Sequence, residues 1–459
     1  MKHNTNKYDI TEGVIWKQIL IFFFPILLGT FFQQLYNTTD AIVVGRFIGK
    51  EALSAVGGTT GTLINLLVGF FVGLSSGATV IISQYFGARK YDDLKISVHT
   101  AVAMAIIGGA LFMAVGIAAA PIALSAMGTP EDVIGYSLIY IRIYFMGMIP
   151  NMIYNMGAGI LRAVGDSKRP LYFLVASCIV NIALDLIFVA ALGLGIYGVA
   201  IATVTSQCMS AFLVLLILGK TDAPYKLEIK QLKIDSEKLR QIFKIGLPAG
   251  FQSSMYNVAN VIIQSSINSF GTDTVAAWTA FSRIDGLFWM MMGAFGVSIT
   301  TFVGQNFGAE KIDRVKKGVK QCLIMCMAAA ITLSFILYVA GSRVYLLFTT
   351  DSSVIVKGLE ILRFLVPTYF TFVFIEILSG ALRGMGNSLV PMLLTSIGVC
   401  GLRIGWIFIA VPMYPGVKTV IFSYPLSWAV TSLLFMAYYR YFWRKKRKNS
   451  EDTELSLGQ

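Results

Sequence analysis

Nearly all the charge in this 459-residue chain is gathered into short clusters. Between the clusters run apolar stretches of roughly 20 residues or more, the length a helix needs to cross a bilayer. Only 13% of the residues are charged and 56% are hydrophobic, about half the charged share of a soluble domain. Mean hydropathy is +0.72. In hydrocarbon, every backbone N–H and C=O must find a partner within the protein. Long apolar runs therefore predict helices, and the chain reads as an all-α integral membrane protein. Twelve apolar segments are expected, at 18–44, 52–80, 98–122, 133–158, 171–192, 197–218, 245–268, 275–301, 321–345, 354–380, 391–411 and 420–441. Pro25, Pro150, Pro248 and Pro367 fall inside them, where neighbouring helices can satisfy the freed backbone groups.

The same pattern excludes several kinds of function. A net charge of +13 suggests nucleic acid, but no folded basic domain exists to hold it. Two histidines, His3 and His99, leave no His-based metal site. The five cysteines (Cys178, Cys208, Cys322, Cys326 and Cys400) all lie in apolar stretches and read as small buried residues. No catalytic constellation accompanies them, so an enzyme is not expected.

Orientation follows from the basic residues. With a cytoplasmic N-terminus, 28 Lys and Arg fall on the cytoplasmic side and five (Arg46, Lys50, Arg343, Lys357 and Lys418) on the other. That bias predicts both termini in the cytoplasm of a multi-pass protein of the cell membrane. The first apolar run is too long for a signal peptide and lacks a small-residue cleavage site. It reads as the first span.

The chain also repeats itself. A shift of 221 residues superposes Gly87-Ala88 on Gly308-Ala309, Lys90 on Lys311, Asp92 on Asp313 and Arg142 on Arg363. It also superposes Gly159, Leu161, Arg162, Gly165, Ser167 and Pro170 on Gly380, Leu382, Arg383, Gly386, Ser388 and Pro391. Six spans per half is an even number, so both halves enter from one side and the repeat is parallel. The expected organisation is a cytoplasmic segment 1–17, an N-lobe 18–218, a linker 219–244, a C-lobe 245–441 and a basic-then-polar tail 442–459. The linker, with seven Lys or Arg, reads first as a tether. Membrane lipid is an expected contact for it and for the tail Arg444–Lys448.

Ionisable residues inside spans are costly and point to function. Asp40 lies six residues before Arg46, roughly 9 Å from the span's end, and Asp185 eight residues before Gly193, roughly 12 Å from the same flank. Thr203 falls at similar depth. Asn181 shares a helix face with Asp185, and Gln33, Tyr36 and Asn37 share one with Asp40. Two carboxylates, an amide and a hydroxyl offer hard oxygen donors for a proton or Na⁺. Close carboxylates in a low dielectric disfavour each other's charge, so the set Asp40, Asn181, Asp185 and Thr203 is the expected ion site. The second half does not copy it: Leu402 and Trp406 stand where Asn181 and Asp185 would fall. Glu376 stands instead at the counterpart of Asn155, either as a second titrating group or as a partner of Arg403. Arg142 and Arg363 read as snorkelling anchors, and Arg283 and Asp285 as partners for other helices. Aromatic and Met side chains suit flat apolar cations, with Met255, Met290, Met291 and Met292 as candidates. Gly57-Gly58, Thr59 and Thr60 read as a place where span 2 repacks or meets a neighbour closely.

At this point a family resemblance appears. Twelve spans in two parallel halves, Pro25-x-x-x-Gly29 followed by Gln33-x-x-Tyr36-x-x-x-Asp40, FGA-x-K loops at 86–90 and 307–311, and LR-x-x-G turns at 161–165 and 382–386 resemble the multidrug and toxic compound extrusion family. The resemblance implies two pseudo-symmetric six-helix lobes and an antiporter that expels small cationic or amphiphilic organic compounds against H⁺ or Na⁺, with no cofactor and as a monomer. It implies a cation site at Asp40, Asn181, Asp185 and Thr203, and a drug cavity lined by Gln33 and Tyr36. With the residues above, the expected substrate contacts are Gln33, Tyr36, Asn37, Asn155, Met255, Tyr256 and Glu376. Family members with a second-half site carry carboxylates in spans 7 and 10. Here span 7 has none, and Glu376 sits about one turn nearer the cytoplasm. That departure favours coupling in the first half. The alternative is a lipid-linked oligosaccharide flippase of similar architecture, which would require a more positive cavity.

Overall fold

The computed structural model describes residues 10–457, and side chains through residue 447. His3, the leading segment up to residue 9 and the tail side chains from Lys448 onward lie outside the described residues. The first half runs α1 (Ile15–Phe47), α2 (Lys50–Gly57), α3 (Thr59–Gly87), α4 (Tyr91–Ala126), α5 (Glu131–Met146), α6 (Met148–Ala163), α7 (Lys168–Asp185) and α8 (Gly195–Lys220). The second runs α9 (Ser236–Asn268), α10 (Thr272–Gly308), α11 (Ile312–Tyr345), α12 (Ser352–Leu365), α13 (Tyr369–Gly384), α14 (Leu389–Thr395), α15 (Leu402–Met413) and α16 (Val417–Leu457). No strand interrupts them among the described residues.

Among the described residues, ten helical stretches are long and apolar enough to span a membrane. α5 and α6 form a further pair, bent by 50° at Gly147. The second-half counterpart, α12 and α13, is interrupted at Val366–Thr368, where Pro367 removes a backbone donor. Span 2 is broken at Gly57-Gly58, between α2 and α3. The seventh expected segment, 245–268, is helical within α9 but is not among the ten. Gln252, Ser253, Ser254, Asn257, Asn260 and Gln264 dilute its apolar character.

The repeat is written in the backbone as well as the sequence. Among non-glycine residues with positive φ, Arg89 (56°) and Glu310 (59°) are 221 residues apart. So are Gly165 (103°) and Gly386 (87°). Arg89 N–H donates to Phe86 O and Glu310 N–H to Phe307 O, both at 3.1 Å. Asp166 N–H donates to Leu161 O at 2.8 Å and Asn387 N–H to Leu382 O at 2.9 Å. Each is a helix C-terminus closed by a left-handed residue, so the matched loops terminate their helices in the same way.

By packing, the chain divides into two units. The first runs to Ser254 and takes in Gly304–Arg314; the second holds Met255–Val303 and continues from Val315. Two glycine contacts account for the border of the first unit. Gly73-x-x-x-Gly77 on α3 meets Gly246-x-x-x-Gly250 on α9 backbone to backbone. A Cβ added at Gly246 would lie 2.5 Å from Leu74 O, and one at Gly250 2.8 Å from Phe70 O. Small residues at this spacing let helix axes approach closely in a membrane. The two FGA loops also interlock: Gly87 lies against Gln305 O, and Gly308 against Gln84 O.

The linker is strapped down rather than loose. Lys238 Nζ donates to Asp93 Oδ1 at 2.6 Å and to Tyr85 Oη at 2.8 Å. Glu228 N–H donates to His99 Nε2 at 3.0 Å, and Asp235 N–H to Thr100 Oγ1 at 3.1 Å. Tyr225 and Leu227 are buried. Cys178, Cys322, Cys326 and Cys400 are buried as expected, but Cys208 is exposed on α8. Its face of the helix points outward, so the expectation of a buried thiol fails there.

Candidate functional site

Three helices of the first unit bring the expected ion-site residues together. α1 supplies Asp40, α7 supplies Asn181 and ends at Asp185, and α8 supplies Thr203. Immediately after Asp185 the helix widens into a π-helical turn, Leu186–Ala191, a distortion frequent at functional sites. All four side chains are buried: Asp40 is 4% exposed, Asn181 and Asp185 0%, and Thr203 3%. Asp40 lies within interaction range of Asp185, Asn181 and Thr203. One aligned hydrogen bond joins them, from Thr203 Oγ1 to Asp40 Oδ2 at 3.4 Å. Asp40 Oδ1, both Asp185 oxygens and both Asn181 amide atoms have no hydrogen-bond partner.

That state is costly for protein alone, because buried polar atoms are normally paired and unpaired buried charge is more costly still. The set is composed of oxygen donors, which suit H⁺ or Na⁺ rather than a soft metal. Among the described residues, no cluster of three or more His, Cys, Asp or Glu offers a metal site.

Toward Asp40's helical neighbours the surroundings turn aromatic and polar. Tyr36, half-buried one turn before Asp40, lies within reach of Gln33, Tyr144 and Tyr154. Gln33 and Asn37 are exposed, and Asn37 Nδ2 donates to Gln34 Oε1 at 3.4 Å. Polar side chains exposed in mid-span suit water better than lipid. Asn155 sits on α6, held by Asn151 O at 2.9 Å and Asn151 Oδ1 at 3.0 Å.

Sequence reading missed three residues here. Tyr140 and Tyr144 lie beside the site with tilted rings 6.2 Å apart, and Tyr140 lies within reach of both Asp40 and Asp185. Gln207, one turn beyond Thr203, is 7% exposed with neither amide atom hydrogen-bonded. Its Oε1 lodges against Gly147, where the α5–α6 pair bends. The i, i+4 spacings of Tyr140 with Tyr144 and of Thr203 with Gln207 were the available signals.

The remaining expected contacts belong to the second unit. Met255 and Tyr256 are half-buried on α9. Tyr256 lies within electrostatic range of Glu376, Cys400 and Arg403. Glu376 on α13 abuts Gly296, and its charged neighbour is Arg383. The option that Arg403 is its partner is corrected by where Arg403 lies. Arg403, 2% exposed, stacks on Tyr424 at 4.0 Å and Trp428 at 6.0 Å, and its Nη2 donates to Ser427 Oγ at 3.3 Å. Asp285 accepts from Trp289 Nε1 at 2.6 Å and from Tyr369 Oη, so it does meet another helix. Arg283, Arg142 and Arg363 are exposed, and Arg363 lies over the Tyr338 ring at 6.0 Å. Met292 packs in the core against Cys326, at 3.7 Å.

Long apolar helices in a doubled architecture define a multi-pass helical membrane protein, with a buried acidic group in its first unit. The MatE family matches residues 25–187 and again 248–409, and the chain belongs to that family. The two matches coincide with the halves of the repeat. Among curated relatives, the chain is similar to the "Probable multidrug resistance protein YoeA" of Bacillus subtilis, at 29% identity over 94% of this chain and 95% of that protein. It is also similar to the "Multidrug export protein MepA" of Staphylococcus aureus strain NCTC 8325, at 22% identity over 84% and 86%. The fold matches a crystal structure of MATE in the bent conformation, with a TM-score of 0.90 and 22% identity over 96% and 98% of the two chains. It also matches a MOP superfamily transporter from Pyrococcus furiosus, with a TM-score of 0.86 and 23% identity over 94% and 96%.

Proposed function

We propose that this chain is an ion-driven multidrug exporter that expels small cationic or amphiphilic organic compounds in exchange for H⁺ or Na⁺. The observation that carries the reading is the pair of buried carboxylates, Asp40 and Asp185, with Asp40 Oδ1 and both Asp185 oxygens left without hydrogen-bond partners near the exposed polar side chains of α1. The relatives named for multidrug export support the substrate class. In this reading both termini are cytoplasmic, and lobes 18–218 and 245–441 alternate access about the linker 219–244.

The chemistry follows from one shared charge. With Asp40 or Asp185 ionised, the site attracts a cationic compound resting on Tyr36, Gln33 and Asn37. Entry of H⁺ or Na⁺ at Asp40, Asn181, Asp185 and Thr203 neutralises the pair and withdraws that attraction. Drug and ion thus compete for one charge state, and their coupling is the difference in affinity between conformations. Asn155 on α6 completes the proposed substrate contacts of the first unit.

The test is efflux of ethidium from vesicles holding the purified chain, under a pH gradient and separately under a Na⁺ gradient. Movement driven by one gradient and lost in Asp40→Asn supports the reading and names the ion. Normal coupling in Asp40→Asn removes the first-half site from the mechanism, and dye that neither gradient moves overturns the proposed export.

A further inference from the structure

A furrow of about 740 Å³ opens on the surface of the second unit, between α12, α15 and α16. Its floor owes its depth to missing side chains: Gly401 and Gly405 lie one turn apart, and a Cβ at Gly405 would meet nothing within 4 Å. Aromatic rings form the walls, with Trp406 and Phe422 5.2 Å apart and Phe364 and Phe422 6.4 Å apart. Ile409 is 69% exposed along the open side. The volume is that of a ligand site, and the lining is apolar along its length.

Only one end is charged. There Lys418 Nζ meets Glu360 Oε1 at 2.6 Å, with the two side chains 66% and 52% exposed. Glu360 stands one turn before Phe364 on α12, and Lys418 is the second residue of α16. Lys418 thus stands in the first turn of an apolar span, the kind of position that meets membrane headgroups. An apolar trough ending in an adjacent positive and negative charge is complementary to a particular amphiphile. That amphiphile has an acyl chain and a headgroup that carries an anion and an N–H-bearing cation side by side.

We propose that the furrow seats one phosphatidylethanolamine molecule. Its acyl chain lies over Gly401 and Gly405 against Trp406 and Phe422, its phosphate meets Lys418, and its ammonium meets Glu360. An exposed ion pair contributes little stability by itself, so exchanging it for two matched contacts costs little. A phosphatidylglycerol satisfies Lys418 but faces Glu360 with no cation. A phosphatidylcholine brings a cation with no N–H to donate. The furrow thus discriminates by headgroup, and this holds whether or not the chain exports drugs.

The purified full chain, offered equal amounts of the three lipids and examined by native mass spectrometry, tests this directly. Phosphatidylethanolamine should be retained at least about fivefold over either competitor. Gly405→Leu fills open space and should lose that adduct while keeping the wild-type melting temperature. Should Gly405→Leu fail to fold, Glu360→Gln serves on an exposed position, and there the preference over phosphatidylglycerol should vanish. Equal retention of the three lipids, a preference for phosphatidylglycerol, or an undiminished adduct in folded Gly405→Leu would each overturn the proposal.

Discussion

The two halves descend from one pattern, yet their intramembrane acids are treated in opposite ways. In the first unit Asp40 Oδ1 and both oxygens of Asp185 lack partners. In the second, each oxygen of Asp285 accepts a hydrogen bond, one from Tyr369 and one from Trp289. A cation is also built in: Arg403 lies buried over Tyr424, within electrostatic range of Asp285. The first half leaves these acid oxygens unpaired, while the second supplies Asp285 with two donors and a nearby cation from the chain. A duplicated scaffold can thus keep its glycine turns in both copies and still pair its buried acids differently.

The comparison breaks most visibly at the acids themselves. Asp185→Asn should reduce gradient-driven ethidium export on the order of 100-fold, whereas Asp285→Asn should retain its ion dependence in the same vesicles. A loss of ion dependence in Asp285→Asn alone would reverse the assignment of the halves. Next in size, Arg403→Met should lower stability by about 2 kcal/mol through the lost stacking on Tyr424 and Trp428. It should be visible as a lower melting temperature in detergent, with the identity of the coupling ion unchanged. Gln207→Leu sharpens the contrast from the other side. Removing a buried, unpartnered amide should leave stability equal or raised by about 1 kcal/mol, while half-saturation for ethidium rises several-fold.

The smallest effect belongs to an acid in water. Asp351 caps α12, accepting from Ser353 N–H at 2.8 Å, and its hydrogen bonds to Ser353 and Val354 hold its carboxyl below the usual range. A lowered value means that its stabilisation is present above the ordinary carboxylate range and fades as pH falls through the lowered one. Asp351→Ala should therefore shift the melting temperature slightly at neutral pH and not at all in strong acid, without altering export.

Much of this was legible because membrane chains advertise their spans. Apolar length set the helices, and the 221-residue offset located loops whose backbones prove to match down to Arg89 and Glu310. Asp40, Asn181, Asp185 and Thr203 were legible as a group because depth along a helix is fixed by residue count. What depth cannot give is azimuth and neighbour. Tyr140 and Tyr144 resemble any interfacial tyrosines until α5 is seen beside α1 and α7. Gln207 carries no mark in the sequence until its buried amide is found beside Tyr144 without an aligned hydrogen bond. Glu376 and Arg403 share a half and opposite charge, yet rings and a hydroxyl take the arginine instead. α9 was the hardest, because its polarity argues against a span while its glycine contacts with α3 require it to pack there.

That last crossing bears on how the chain is made. A helix carrying Gln252, Asn257, Asn260 and Gln264 partitions weakly into hydrocarbon by itself. α3, already synthesised and carrying Gly73 and Gly77, presents the matching notch for Gly246 and Gly250. The seventh helix is then less an independent inserter than a passenger, drawn into the bilayer by a surface that the first half has finished building. The place of α9 in the fold is in this sense written as much on α3 as on α9 itself.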